Sequence, residues 1–187
     1  MRRALPASVV RGLLVVIAAL SCLRCGPPPP PPDGGVPDGG DPVVEGTVEL
    51  GTTDDAGTFV ALSGPVDGIP GSQGGFHVNL LYRLPRGAVG SITVEHQVRR
   101  VRDERLVSRG TRMWDVGLTR VPTWETPSAV TVFMCPTPVG VDIIGEALRF
   151  TVTAKDAAGQ PFATGSATAT FRCGTSAGAF CASICKG

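Results

Sequence analysis

Lysine is almost missing from this chain: of its 187 residues only Lys155 and Lys186 carry it, so nearly all positive charge is arginine. Seventeen basic residues face 16 acidic ones, a balance without the basic excess that a nucleic-acid-binding surface carries. Aromatic side chains are sparse, with one tyrosine and two tryptophans, so Trp114 and Trp124 are the first candidates for any ring platform. Only two histidines are present, His77 and His96. Cys135 and Cys173 stand alone and Cys181 and Cys185 are four apart, without the paired spacing and nearby histidine of a zinc site. No apolar run reaches the length of about 18 residues that a membrane-spanning helix needs. Nucleic acid, a bound metal, an organic cofactor and a spanning helix are therefore not expected.

What is present begins at the N-terminus. Arg2, Arg3 and Arg11 make a basic start, Gly12–Leu20 supplies a short apolar segment, and Ala19-Leu20-Ser21-Cys22 closes it with small residues and a cysteine. This stretch resembles the lipobox of bacterial lipoproteins, although Ala19 stands where leucine is commoner. The resemblance implies cleavage of residues 1–21 and a diacylglyceryl thioether on Cys22, which anchors the chain to a membrane. Arg24 stands before Cys25 where that motif wants a small residue, so Cys25 is the poorer lipid acceptor. Leu23, rather than aspartate, after the lipidated cysteine implies the outer membrane. Ordinary signal cleavage with release is the alternative. Cleavage before Cys22 removes three arginines and no acid, leaving 14 basic residues against 16 acidic ones.

Residues 22–43 read as a linker, because the run of six prolines, Pro27–Pro32, and the Asp-Gly-Gly repeats offer nothing to bury. The prolines favour polyproline II, a stiff spacer of roughly 19 Å, and the glycines beyond them are flexible. Asp33, Asp38 and Asp41 lie in that flexible part, which lacks the preorganised oxygens of a calcium loop.

From Val43 onward the chain alternates with period two. Phe76, Val78, Leu80, Tyr82 and Leu84 fall on one face, with His77, Asn79 and Arg83 on the other. The same pattern recurs over Ile92–Val98, Leu148–Ala154 and Ala163–Phe171, and no segment has a convincing helical period. Turn chemistry separates these runs, at Gly64-Pro65, Gly71–Gly75, Arg102–Arg105, Pro136–Pro138 and Asp156–Pro161. Seven or eight strands so spaced predict an all-β fold, an antiparallel β-sandwich of immunoglobulin or fibronectin III type over residues 44–173. Residues 174–187 remain as a cysteine-containing C-terminal tail.

Export to an oxidising compartment makes disulfides the default for Cys135, Cys173, Cys181 and Cys185. With Ala129–Cys135 and Phe162–Cys173 both running up, Cys135 and Cys173 finish at one end, so 135–173 with 181–185 is the favoured pairing. The other two pairings stay open, since a bridge across three residues needs a tight turn.

Three stretches, Glu49–Gly51 with Gly57–Val60, Gly71–Val78 and Phe150–Asp156, resemble a pattern seen in uncharacterised bacterial lipoproteins. That resemblance implies a tethered immunoglobulin-like module and brings no ligand or reaction with it.

Candidate sites follow from residue type. His77 lies on a polar face beside the Gly71–Gly75 turn, suited to a ligand or to a bond with a neighbouring turn. His96 lies between Val94 and Val98 on an apolar face, where a core histidine with both nitrogens satisfied is expected. Trp124, with Trp114, offers a sugar-stacking surface or the edge of a core. Arg99, Arg100, Arg102 and Arg105, followed by Arg109 and Arg112, surround a predicted hairpin with Asp103 and Glu104 at its tip. They serve a solvated, aggregation-resistant edge or recognise an anion. The expected function is a non-catalytic binding or structural module of the cell envelope, with an envelope protein or anionic polysaccharide as partner and no residue assigned to catalysis. An envelope hydrolase and a freely secreted adhesion-type module are the alternatives.

Overall fold

The computed structural model describes residues 46–85, 90–116, 124–126, 128–175 and 178–187. The expected leader 1–21 and linker 22–43, with Cys22 and Cys25, lie outside the described residues. In chain order the strands are β1 (Gly46–Thr47), β2 (Glu49–Thr53), β3 (Phe59–Ala61), β4 (Gly64–Pro70), β5 (Phe76–Leu84) and β6 (Gly90–Arg100). There follow β7 (Leu106–Val116), β8 (Trp124–Glu125), β9 (Val130–Cys135), β10 (Ala147–Lys155), β11 (Pro161–Cys173) and a short helix α1 (Gly178–Ile184).

The fold is mostly β, as the alternation predicts, and its strands form one curled sheet in the order β3-β2-β5-β4-β11-β10-β6-β7. Short strands β8 and β9 pair with β5, and β1 pairs with β11. One stretch of the sheet, β7-β6-β10-β11, is a run of antiparallel ladders. The sheet as a whole is not purely antiparallel, which corrects the expectation. At thirteen residues β11 is long enough to carry two partners along its length, and both β1 and β4 pair with it in parallel. Strand β4 also pairs antiparallel with β5, so it joins the two parts of the curl. Gly68 permits this crossing: a Cβ there would stand 2.7 Å from the Phe171 ring.

Alternation fills a single core. Phe76, Val78, Leu80, Tyr82 and Leu84 of β5 pack with Ile92, Val94 and Val98 of β6 and with Leu148, Phe150 and Val152 of β10, all buried. Two turns share one device, because both have aspartate first and glycine fourth. Asp54 accepts from the Ala56 and Thr58 amides, Asp156 from those of Ala158 and Gln160, and Gly57 and Gly159 take positive φ. Glycine adopts that backbone without a Cβ penalty.

The C-terminal tail carries a helix. Residues 178–184 form α1, and a bond from the Cys185 amide to the Cys181 carbonyl carries its last turn onward. Cys185 bridges to Cys135 and Cys181 to Cys173, one of the two open alternatives, which corrects the favoured pairing of 135 with 173 and 181 with 185. Helical spacing explains this. Residues four apart share one face of a helix, so Cys181 and Cys185 both turn toward the strand ends and each meets a different strand.

Candidate functional site

The arginine hairpin forms as expected, with β6 and β7 joined through residues 101–105 and Glu104 at positive φ in the tip. Its guanidinium groups, however, are engaged by the protein itself. Arg100 is only 3% exposed, holds Asp103 through two nitrogens and donates 2.8 Å to the Asp142 carbonyl. The hydrogen bond from Arg100 draws the Asp103 carboxyl down to about 2. Arg99 donates to the Glu104 carbonyl, Arg105 to the carbonyls of Val139 and Gly140, and Arg102 pairs with Glu146. These contacts clamp the hairpin tip onto the loop after β9.

Beyond the tip, β7 runs along the end of the sheet with β6 as its ladder partner among the described residues. Among the described residues strand β9 pairs with β5 alone and comes close to β7 without a ladder between them. Between the two strands lies a groove of about 410 Å³, walled by Ser108–Arg112 of β7 and by Val130, Thr131 and Phe133 of β9. Its lining includes His96, 7% exposed, whose Nδ1 is buried with no hydrogen-bond partner among the described residues. The expectation of a fully satisfied core histidine therefore fails at that atom. Burial pushes the His96 imidazole below the ordinary histidine range, toward the neutral ring.

The register places Gly110 opposite His96. A Cβ at Gly110 would stand 2.6 Å from Cε1 and 2.7 Å from Nε2 of the imidazole, so the missing side chain is what admits the ring. A second depression of about 380 Å³ shares His96, Arg109, Gly110 and Thr111 and adds Glu95 and Gln97. Glu95 is already bound there, 2.7 Å from the Lys155 ammonium. Arg109 and Arg112 are exposed groove residues, and no partner for either is found among the described residues.

His77 lies on the outer face of β5, opposite Phe133 in β9. The two rings meet edge to face with centroids 6.2 Å apart, and the Phe133 ring is 63% exposed. His77 thus backs an aromatic side chain of the groove. Trp124 pairs through its backbone with Leu84 in β8, while its side chain lies outside the described residues. Trp114 is packed against the core and has a partner of its own. The sulfurs of Cys173, Cys181 and Cys185 cluster within 4.8 Å, but all are spent in the two bridges. An expectation that the chain has no Gly-x-Ser-x-Gly is corrected by the sequence itself, since Gly174-Thr175-Ser176-Ala177-Gly178 spells it from the end of β11 to the first residue of α1; Ser176 lies outside the described residues. Sequence reading also missed the groove, since Gly110 and Phe133 acquire meaning only through the register.

No family model matches the chain, and no curated protein matches it. Among solved structures, a glycosyl hydrolase family 2 member from Bacteroides cellulosilyticus DSM 14838 aligns over 50% of this chain with 11% identity and a TM-score of 0.38. A β-glucuronidase of Bacteroides uniformis aligns over 51% with 13% identity and a TM-score of 0.34. The aligned part spans 12% of each of those chains.

Proposed function

We propose that this chain is an exported, lipid-anchored protein of the cell envelope, whose immunoglobulin-like β-sandwich is a non-catalytic binding module on a tether. A curled sheet around one core, its two parts joined through β4, supports the immunoglobulin-like reading, and the four bridged cysteines suit an oxidising compartment. The observation that carries the binding role is the β7–β9 groove. Its ionisable groups are Arg109, Arg112 and a histidine driven toward neutrality, and its lining contains no carboxylate. Such a set grips an anion. Glycoside hydrolysis instead calls for two carboxyl groups flanking the scissile bond.

The test uses the full chain expressed with its own leader in a bacterial host. The expected result is a membrane fraction holding protein with lipid mass on Cys22, retained on isolated envelope material and leaving that material uncleaved. Failure to be retained on envelope, or release of sugar or peptide fragments by the purified protein, overturns the reading.

A further inference from the structure

We infer that the β7–β9 groove is a site for a carboxylate-bearing polysaccharide, with Arg112, on the same face of β7 as Gly110, holding the carboxylate and Phe133 and His96 contacting the sugar ring. The inference deepens the binding role proposed above and rests on it.

The arginines make the first argument. Every other described arginine is held by an acceptor or ring of the protein: Arg83 by Glu125 and Phe59, Arg149 by Glu104, Arg172 by Asp67, and the four of the hairpin tip as described above. The two left without a described partner are the two that line the groove. Arg109 shares its depression with Glu95 and Gln97, whereas the depression that holds Arg112 has no acid in its described lining, and the planar fork of a guanidinium matches a carboxylate.

The lining and rim make the second. His96 is more than nine-tenths buried, yet Nδ1 lacks a partner among the described residues and the bare Gly110 keeps the ring among those that line the groove. A neutral imidazole both donates and accepts, which suits a sugar hydroxyl. Ser108, Thr111 and Thr131 add hydroxyls to the same walls. At the rim, the exposed Phe133 ring, backed by His77, offers a flat apolar surface to the C–H face of a pyranose. The volume of about 410 Å³ falls within the range of small-ligand sites. An acidic peptide would satisfy the arginine but would leave the aromatic rim and the hydroxyls unexplained.

Binding of the full chain in detergent to polygalacturonate, alginate and hyaluronate, each against neutral dextran, is the test. At least one acidic polymer is expected to bind tenfold or more tightly than dextran. Arg112→Ser should abolish that preference, Phe133→Ala should weaken binding to acidic polymer about fivefold, and Gly110→Ala, which crowds the imidazole, should weaken it as well. Near-ultraviolet circular dichroism and melting curves of each variant separate lost binding from lost fold. Should Gly110→Ala fail to fold, the exposed Arg112 and Phe133 variants decide. Equal binding to dextran, no binding to any acidic polymer, or an acidic preference that survives Arg112→Ser overturns the inference. Envelope retention that persists in the Arg112→Ser variant overturns this site while leaving the envelope-binding role standing. Retention destroyed by protease treatment of the envelope, and not by polysaccharide lyase, overturns the choice of a polysaccharide.

Discussion

The Tyr82 hydroxyl sits in the core with no hydrogen-bond partner among the described residues, on a residue that is 0% exposed, and burial drives its ionisation well above the ordinary tyrosine range. A buried polar group without a partner costs more than the same volume of hydrocarbon. Tyr82→Phe should therefore leave stability unchanged or raise it by up to about 1 kcal/mol, read from urea unfolding. A fall in the unfolding midpoint would reveal a partner for that hydroxyl. Arg100 behaves oppositely. Its replacement strands Asp103 and the Asp142 carbonyl, so Arg100→Ala should lower the melting temperature, whereas Arg102→Ala, at a group 57% exposed, should barely move it. Acid sensitivity has two origins. Folding lowers the His96 pKa from 6.5, so the unfolded chain binds that proton first; stability is full above about pH 6.5 and declines as pH falls below it. Asp103, drawn from 3.8 to about 2, contributes stability that is present above pH 3.8 and is lost as pH falls toward 2. Urea midpoints measured from pH 7.5 to 5 should drop for the wild type and flatten in His96→Gln.

At the scale of elements, the two bridges close loops of very different length. Cys135 and Cys185 are 50 residues apart, Cys173 and Cys181 only 8. Loop-closure entropy then assigns about 4 kcal/mol to the first bridge and about 2.5 kcal/mol to the second. Paired Cys→Ser variants should follow that order in denaturant, and peptide mapping without reductant should recover the linked pairs 135–185 and 173–181. A dominant 181–185 fragment would reject the connectivity. The long strands were legible because one face of each is buried: Phe76–Leu84 and Leu148–Ala154 alternate cleanly and appear as β5 and β10. Strand β4 was not, since Gly64, Pro65, Gly68 and Pro70 spell a turn; it is a strand because β11 and β5 supply its ladders. Helix α1 was hidden as well, being seven residues long and held by bridges rather than by an apolar stripe. The arginine hairpin was readable as a hairpin. Which arginines remain available was not, because Arg105 reaches carbonyls 34 and 35 residues away.

At the scale of the molecule, the groove explains why two strands lie close without a ladder. Were β7 and β9 bonded to each other, a ladder would replace the groove between them. Leaving them apart keeps Arg112 and the Phe133 ring exposed along the groove, while Arg109 turns to the other face of β7. A site of this kind is most useful where its polymer is fixed and the protein is held nearby. The proposed tether provides that confinement, since a chain linked to a membrane meets an envelope ligand at a raised effective concentration. Two changes then separate anchoring from recognition. Cys22→Ser should leave the protein as a soluble or stranded precursor without lipid mass, while purified variant still prefers acidic polymer to dextran. Arg112→Ser should keep the lipid on Cys22 and the membrane location, yet lose that preference. Intact-mass measurement of the membrane fraction reads the first property and polymer binding the second. If Cys22→Ser protein stays in the membrane with an N-terminus identical to that of the wild type, the anchor is not a lipid on Cys22, and confinement of the groove needs another cause.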